Sequence, residues 1–170
     1  MNYKFTTNIL NRTDELINYL LGPRLWIPKV DYPDFDNWIN KVYLQLKSEE
    51  KRAIVCISSG AIVGAIVYQH HRSVEDALEI KNITVRPDQQ GHYIASFLMR
   101  NAEFEGTQDF KTKKILVDSK SRNMEIRSFL FKNGYTPLCV IDLYDLGSGD
   151  DMIYAKLSKK ASESIIRDPI

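Results

Sequence analysis

Cysteine is scarce: Cys56 and Cys139 are the only two in 170 residues, both inside apolar runs, with no CxxC pair and no Cys/His spacing of ligand type. A disulfide scaffold and a zinc site are therefore not expected, and both thiols read as buried. Neither sign of charge prevails, since 23 Lys and Arg stand against 22 Asp and Glu for a net +1. No basic face follows from that balance, and nucleic acid is not the expected partner. The opening MNYKFTTNIL lacks the apolar core of a signal peptide, and no run reaches the ~20 apolar residues of a membrane span. A cytoplasmic protein that does not enter a membrane is the expectation. Repeats, low-complexity blocks and Gly/Ser linkers are also missing, so residues 1–170 read as one domain, with a frayed polar tail over 158–170. What is present, 44% hydrophobic and 26% charged residues, is enough to bury a continuous core.

The pattern along the chain predicts β, α, α, β, β, β, α, β, α, β, β. Tyr3 to Thr6 alternates as a short strand. Thr13 reads as an N-cap before Asp14 and Glu15, with Leu16, Ile17, Leu20 and Leu21 as the apolar stripe of a helix that Gly22-Pro23 stops. A second helix begins near Asp34 or Asp36 and buries Trp38, Ile39, Val42, Tyr43 and Leu46. Ala53 to Ile57 and Ala61 to Tyr68 are β-branched runs around Ser58-Ser59-Gly60, a hairpin signal. Strands follow at Leu78 to Val85, Lys114 to Asp118, Pro137 to Leu143 and Asp151 to Leu157, with helices after Gly91 and over Asn123 to Phe131 and a turn at Gly147-Ser148-Gly149-Asp150. A central mixed sheet with helices on its faces is the packing this order implies.

The chemistry concentrates in Leu78 to Ala102. There a strand runs through the loop Pro87-Asp88-Gln89-Gln90-Gly91 directly into a helix whose apolar face is Ile94, Phe97, Leu98 and Ala102. Such a loop presents unpaired backbone N–H groups and the positive end of a helix dipole, which suits a pyrophosphate. Many strand-to-helix turns contain one glycine and bind nothing, so the loop alone leaves both readings open.

Around this loop the chain resembles the GCN5-related N-acetyltransferase (GNAT) superfamily over most of its length. The family's acetyl-CoA motif, Gln/Arg-x-x-Gly-x-Gly/Ala, falls on Gln90-Gly91-His92-Tyr93-Ile94-Ala95, preceded by Val85-Arg86-Pro87 in place of its Val-x-Pro. A second family segment is similar to Asn123 to Tyr135, NMEIRSFLFKNGY. The resemblance implies a GNAT-like mixed sheet and an acetyl-CoA-dependent N-acetyltransferase transferring directly to a primary amine of a small molecule or protein. It implies that Gln90, Gly91, His92, Tyr93, Ile94 and Ala95 line the pyrophosphate loop, and that Ile83 and Val85 offer backbone groups to the pantetheine. The Ile83 N–H would polarise the thioester, an oxyanion contact whose loss costs roughly 3 kcal/mol in other enzymes. Asn123 would touch the cofactor from the next helix. Glu79 lies at the family's spacing for a general base that deprotonates the amine, directly or through water. A solvated residue alternating with apolar neighbours would look the same.

Two positions depart from the family. Tyr93 replaces the central glycine of the motif, and Leu130 stands where many members have a tyrosine that protonates the departing CoA thiolate. Tyr93, Tyr135 and Tyr154 are the possible substitutes, each also readable as packing. These departures keep a second reading open, a CoA-binding or regulatory module with weakened catalysis. No cysteine in a Cys/His setting supports an acyl-enzyme route. Action on aminoacyl-tRNA would sit poorly with the neutral charge. His70-His71 reads as solvent-facing and no metal is expected. Trp26, Tyr32 and Trp38 could wall the acceptor side, Lys111, Lys113 and Lys114 could hold the adenosine 3′-phosphate, and an exposed last strand could pair in a homodimer.

Overall fold

The computed structural model describes residues 2–22, 34–143, 147 and 150–158. In chain order it contains β1 (Lys4–Thr6), α1 (Thr13–Leu20), α2 (Phe35–Lys47), β2 (Arg52–Ser58), β3 (Ala61–His70), β4 (Ala77–Val85), α3 (Ile94–Gln108), β5 (Lys114–Lys120), α4 (Met124–Lys132), β6 (Thr136–Ile141) and β7 (Asp151–Leu157). The seven strands make one mixed sheet in the order β1-β2-β3-β4-β5-β7-β6. This is the expected order of elements and the expected mixed α/β class. Among the described residues no helix is long and apolar enough to cross a membrane.

Both faces of the sheet are covered. Leu16 and Leu20 of α1 and Ile39, Val42 and Leu46 of α2 pack on Ala53, Val55, Ala65 and Val67. On the other face Ile94, Leu98, Met99 and Ala102 of α3, with Leu130 of α4, pack on Ile54, Ile66, Leu78 and Ile80. Strands covered on two sides lose the polar alternation, which is why β2 and β3 read as continuous apolar runs. Ser59 and Gly60 join them with φ of 50° and 82°, the paired positive angles of a tight hairpin turn. Gly64 sets how closely α3 approaches the sheet. A Cβ there would lie 2.8 Å from Cγ2 of Ile94, so the bare glycine is what lets the first turn of α3 close on β3.

Several local expectations are corrected. Thr13 is not an N-cap: a 3-10 turn over Leu10–Arg12 runs straight into α1, and the buried Thr13 hydroxyl donates backwards to the Ile9 carbonyl at 3.1 Å. Of the two thiols only Cys56 is buried, because Cys139 sits on β6, an edge strand exposed along its whole length. Ser158 is held rather than frayed, its hydroxyl donating to the Thr112 carbonyl at 2.7 Å. The rest of the tail, residues 159–170, lies outside the described residues, as do 148 and 149 of the late turn.

Candidate active site

The site begins where two neighbouring strands part. β4 pairs in parallel with β5 only from Ala77 to Ile80, the last pair being Ile80 with Val117, whereas β5 continues beside β7 to Lys120. From Lys81 onward β4 therefore has a partner on one side only, β3. A bulge marks the change: Val67 faces Asn82 and Tyr68 faces Ile80, which leaves Lys81 without a cross-strand partner. Arg86 N–H donates to the Val63 carbonyl of β3 at 2.9 Å. Strand alternation then turns the N–H and C=O of Ile83 and Val85 the other way, into the gap. Backbone groups without a strand partner in a half-buried gap are what an amide-rich arm such as pantetheine can pair with.

The loop after β4 is built to hold a row of donors open. Arg86 grips Asp88 through two hydrogen bonds of 3.0 and 2.6 Å, and the Tyr3 hydroxyl donates to Gln89 Oε1 at 3.0 Å. His92 Nδ1 donates to the Gln89 carbonyl at 3.2 Å, and Phe5 packs on Phe97 with ring centroids 4.2 Å apart. Gly91 and Tyr93 both have positive φ, 80° and 61°, and the first helical bond of α3 is Phe97 N–H to the Tyr93 carbonyl at 3.0 Å. The N–H groups of Ile94, Ala95 and Ser96 thus precede the intrahelical ladder and are free for a ligand. Tyr93 adopts the left-handed conformation that a glycine takes without cost, and its side chain is 84% exposed, directed away from the core. The substitution thus strains the backbone and leaves the ring in solvent. Gln90 behaves differently from the other loop residues, its Nε2 turning back to donate to the Val85 carbonyl at 3.3 Å. Ile94 is buried, so only its main chain is on offer.

A sequence profile described as "Acetyltransferase (GNAT) family" matches residues 14–135, which span α1 to the end of α4 and include both the parted strands and the loop. The chain belongs to the GNAT acetyltransferase family. Its members are acyltransferases that use acetyl-CoA as donor. No curated protein matches the chain. Among solved structures, a GNAT-family protein from Desulfovibrio desulfuricans is similar at 11% identity and TM-score 0.75, covering 93% of this chain and 100% of that one. The ribosomal-protein-S18-alanine N-acetyltransferase of Escherichia coli is similar at 16% identity and TM-score 0.67, covering 96% and 99%. A Bacillus anthracis protein solved in complex with acetyl coenzyme A is similar at 16% identity and TM-score 0.57, covering 64% and 62%. At these identities the likeness is one of fold.

On the face covered by α1 and α2, a cleft of about 300 Å³ adjoins the bulge of this GNAT sheet. Glu79 lines it, as does its neighbour across the bulge, Lys81. Lys81 Nζ lies 2.9 Å from Glu79 Oε1, and Gln69 Nε2 donates to Oε2 at 2.7 Å. Burial alone would raise the Glu79 pKa, but the Lys81 charge and these two hydrogen bonds outweigh it and hold the carboxyl below its ordinary range. Gln69 also accepts from Nζ of Lys51, so Lys51, Gln69, Glu79 and Lys81 form one chain of contacts. Lys51 is 5% exposed, and its pKa is lowered to about 8 by burial and then by the charge of Lys81. Neither Lys51 nor Gln69 figures among the residues picked from sequence. The available signal was a polar residue, Gln69, at the end of an otherwise apolar strand run.

The remaining candidates separate. Leu130 is fully buried in the core, and Asn123 caps α4 with Oδ1 accepting from Ile126 N–H at 3.2 Å. Tyr135 donates to Glu103 at 2.8 Å, while Tyr154 is buried with no partner for its hydroxyl. Tyr135 and Tyr154 are thus buried away from the gap, whereas Tyr93 is exposed at the start of α3. Lys113 pairs with Asp76 at 2.6 Å beyond the C-terminus of α3. Fifteen helical residues, or about 22 Å, separate this lysine run from the loop, which removes it as a partner for the CoA phosphates. His71 braces the turn after β3: Nδ1 accepts from Ser73 and Val74 N–H at 3.1 and 2.9 Å. Trp38 lines the cleft, and Trp26 and Tyr32 lie outside the described residues.

Proposed function

We propose that this GNAT acetyltransferase is an N-acetyltransferase that moves an acetyl group directly from acetyl-CoA to a primary amine, working as a single cytoplasmic domain. The observation that carries the reading is the coincidence of the parted strands and the open N–H row of α3 on one side with the Glu79 cleft on the other. When bound, acetyl-CoA supplies an activated acyl carbon. The residues suited to hold it are Gly91, His92, Tyr93, Ile94 and Ala95 through main-chain N–H groups, Gln90 beside them, Ile83 and Val85 along the arm, and Asn123 through its amide Nδ2. In this reading Ile83 N–H donates to the thioester oxygen, where negative charge grows during attack. The incoming ammonium gives one proton through water to Glu79, the freed lone pair forms the C–N bond, the nitrogen releases its second surplus proton to water, and the C–S bond breaks. With Leu130 in place of a phenol, the departing thiolate takes its proton from solvent.

Glu79 is supported by its place beside the bulge, lining the cleft; the Lys81 charge keeps it ionised and at the same time makes it a weaker base. Leu130 and the strained Tyr93 favour the second reading, a CoA-binding module with weak catalysis. A thermal-shift titration with acetyl-CoA, followed by thiol release across a panel of amines, decides between them. Stabilisation with amine-dependent thiol release supports the enzyme, stabilisation without release supports the module, and no shift at millimolar acetyl-CoA refutes both. Self-association belongs to the proposal as well, but not through the last strand as expected: β7 is paired on both sides, by β5 and β6, and the exposed edge is β6. Sedimentation at rising concentration tests it.

A further inference from the structure

The charges of the cleft on the α1/α2 face do not follow the chain as a whole. The protein carries a net +1, yet among the described residues lining this cleft Lys41, Lys51, Arg72 and Lys81 are cationic and Glu79 is the single carboxylate. Lys81 spends its charge on Glu79 at 2.9 Å. Lys41, Lys51 and Arg72 have no carboxylate within ion-pair distance among the described residues, and the nearby Glu50 is engaged by Gln45 at 3.2 Å and Ser48 at 3.2 Å. Lys51 is the extreme case, an ammonium 5% exposed whose side chain donates to the Gln69 amide oxygen and feels Glu79 and Glu50 only at longer range. An anionic group seated beside it would favour its charged form.

We propose that the amine acceptor carries an anionic group, a carboxylate or a phosphate, which seats against Lys51, Lys41 and Arg72 while its amino group reaches Glu79. The inference rests on the N-acetyltransferase reading and narrows its substrate class. A cationic acceptor, such as a polyamine or a lysine-rich peptide, would meet repulsion at the same place, so the cleft discriminates as well as attracts. The partner side chains belong to separate parts of the fold: Lys41 to α2, Lys51 to the residue before β2, and Arg72 to the turn after β3. The anion would therefore also tie α2 to the ends of β2 and β3.

The test compares matched amines with the intact protein and saturating acetyl-CoA, reading thiol release. Propylamine, 3-aminopropanoate, 3-aminopropylphosphonate and 1,3-diaminopropane differ chiefly in the distal group. The proposal expects kcat/KM for at least one acid-bearing amine to exceed that for propylamine by about tenfold or more, with the diamine lowest. The carboxylate and phosphonate arms tell the two anions apart. Arg72→Gln and Lys41→Gln should each reduce the acid-to-neutral ratio by about fivefold, and Arg72→Glu should invert it. Equal or greater turnover of propylamine or the diamine overturns the proposal and leaves the acetyltransferase reading intact. If no amine is acetylated, calorimetry with glutarate and with inorganic phosphate at low salt still decides. Binding that is lost in Arg72→Gln and weakened by salt supports the anion site, and no binding of either overturns it.

Discussion

Replacing Tyr93 by glycine tests the reading of the cofactor loop most directly. Tyr93 holds φ at 61°, where an L side chain costs about 1–2 kcal/mol relative to the right-handed region. Glycine removes that cost, but it enlarges the unfolded ensemble, which returns about 0.4–1 kcal/mol. The ring is 84% exposed, so its removal sacrifices little burial. The balance is a stabilisation of about 1 kcal/mol, or about 2–4 °C in Tm for a chain of this size. Alanine is the control, since Tyr93→Ala removes the ring while keeping the Cβ and hence the strain, and should leave Tm unchanged or lower. Differential scanning calorimetry of the three proteins, with and without acetyl-CoA, reads both the backbone effect and the ligand-induced increment. Because the ring lies in solvent, the increment should be the same for tyrosine and glycine. A Tyr93→Gly protein that melts lower than wild type, or no higher than Tyr93→Ala, would refute the strain argument. A much larger acetyl-CoA increment in the glycine variant would show that the ring obstructs the phosphates after all.

The same structure sets other outcomes. Glu79→Gln should reduce thiol release at neutral pH, and an unchanged rate would remove Glu79 as the base. Because the folded pKa of Glu79 is lowered, its stabilisation is full above the ordinary carboxyl range and fades as pH falls through the lowered value, so urea unfolding of wild type against Glu79→Gln should converge only in acid. Lys51 has the opposite sign. With a folded pKa of about 8 against 10.5, the unfolded chain binds more protons between those values, so wild-type stability gains on Lys51→Met as pH rises from 8 to 10.5, and parallel curves would contradict the assignment. Lys120→Met should cost about 3–5 kcal/mol in urea unfolding, because it strands the fully buried Asp151, 2.8 Å away. Gly64→Ala should cost about 1–3 kcal/mol by crowding Ile94, and an unperturbed melting curve would show that α3 can retreat from β3.

The linear pattern was sufficient for the order of elements, because apolar period and turn chemistry are local. Ser59-Gly60 could only be a tight turn, and the α3 stripe could only face a sheet. The motif around Gly91 was legible for a similar reason, since a strand, a loop and a helix start are contiguous in the chain. Local signals misled where a neighbour in space or along the chain intervened. Thr13 looked like a cap until a preceding turn supplied its acceptor, and Cys139 looked buried because an apolar run does not reveal that its strand lies at the sheet edge.

What the sequence determined by itself is the family, the strand-loop-helix that suits a pyrophosphate, and the two replacements at Tyr93 and Leu130. Only the tertiary structure decided where β4 leaves β5, which backbone groups the bulge at Lys81 turns into the gap, and that Lys51, Gln69, Glu79 and Arg72 meet in one cleft. Those residues come from three different strands and their flanks. Strand register and helix packing bring them together, and these are set by the burial of both sheet faces rather than by any spacing along the chain.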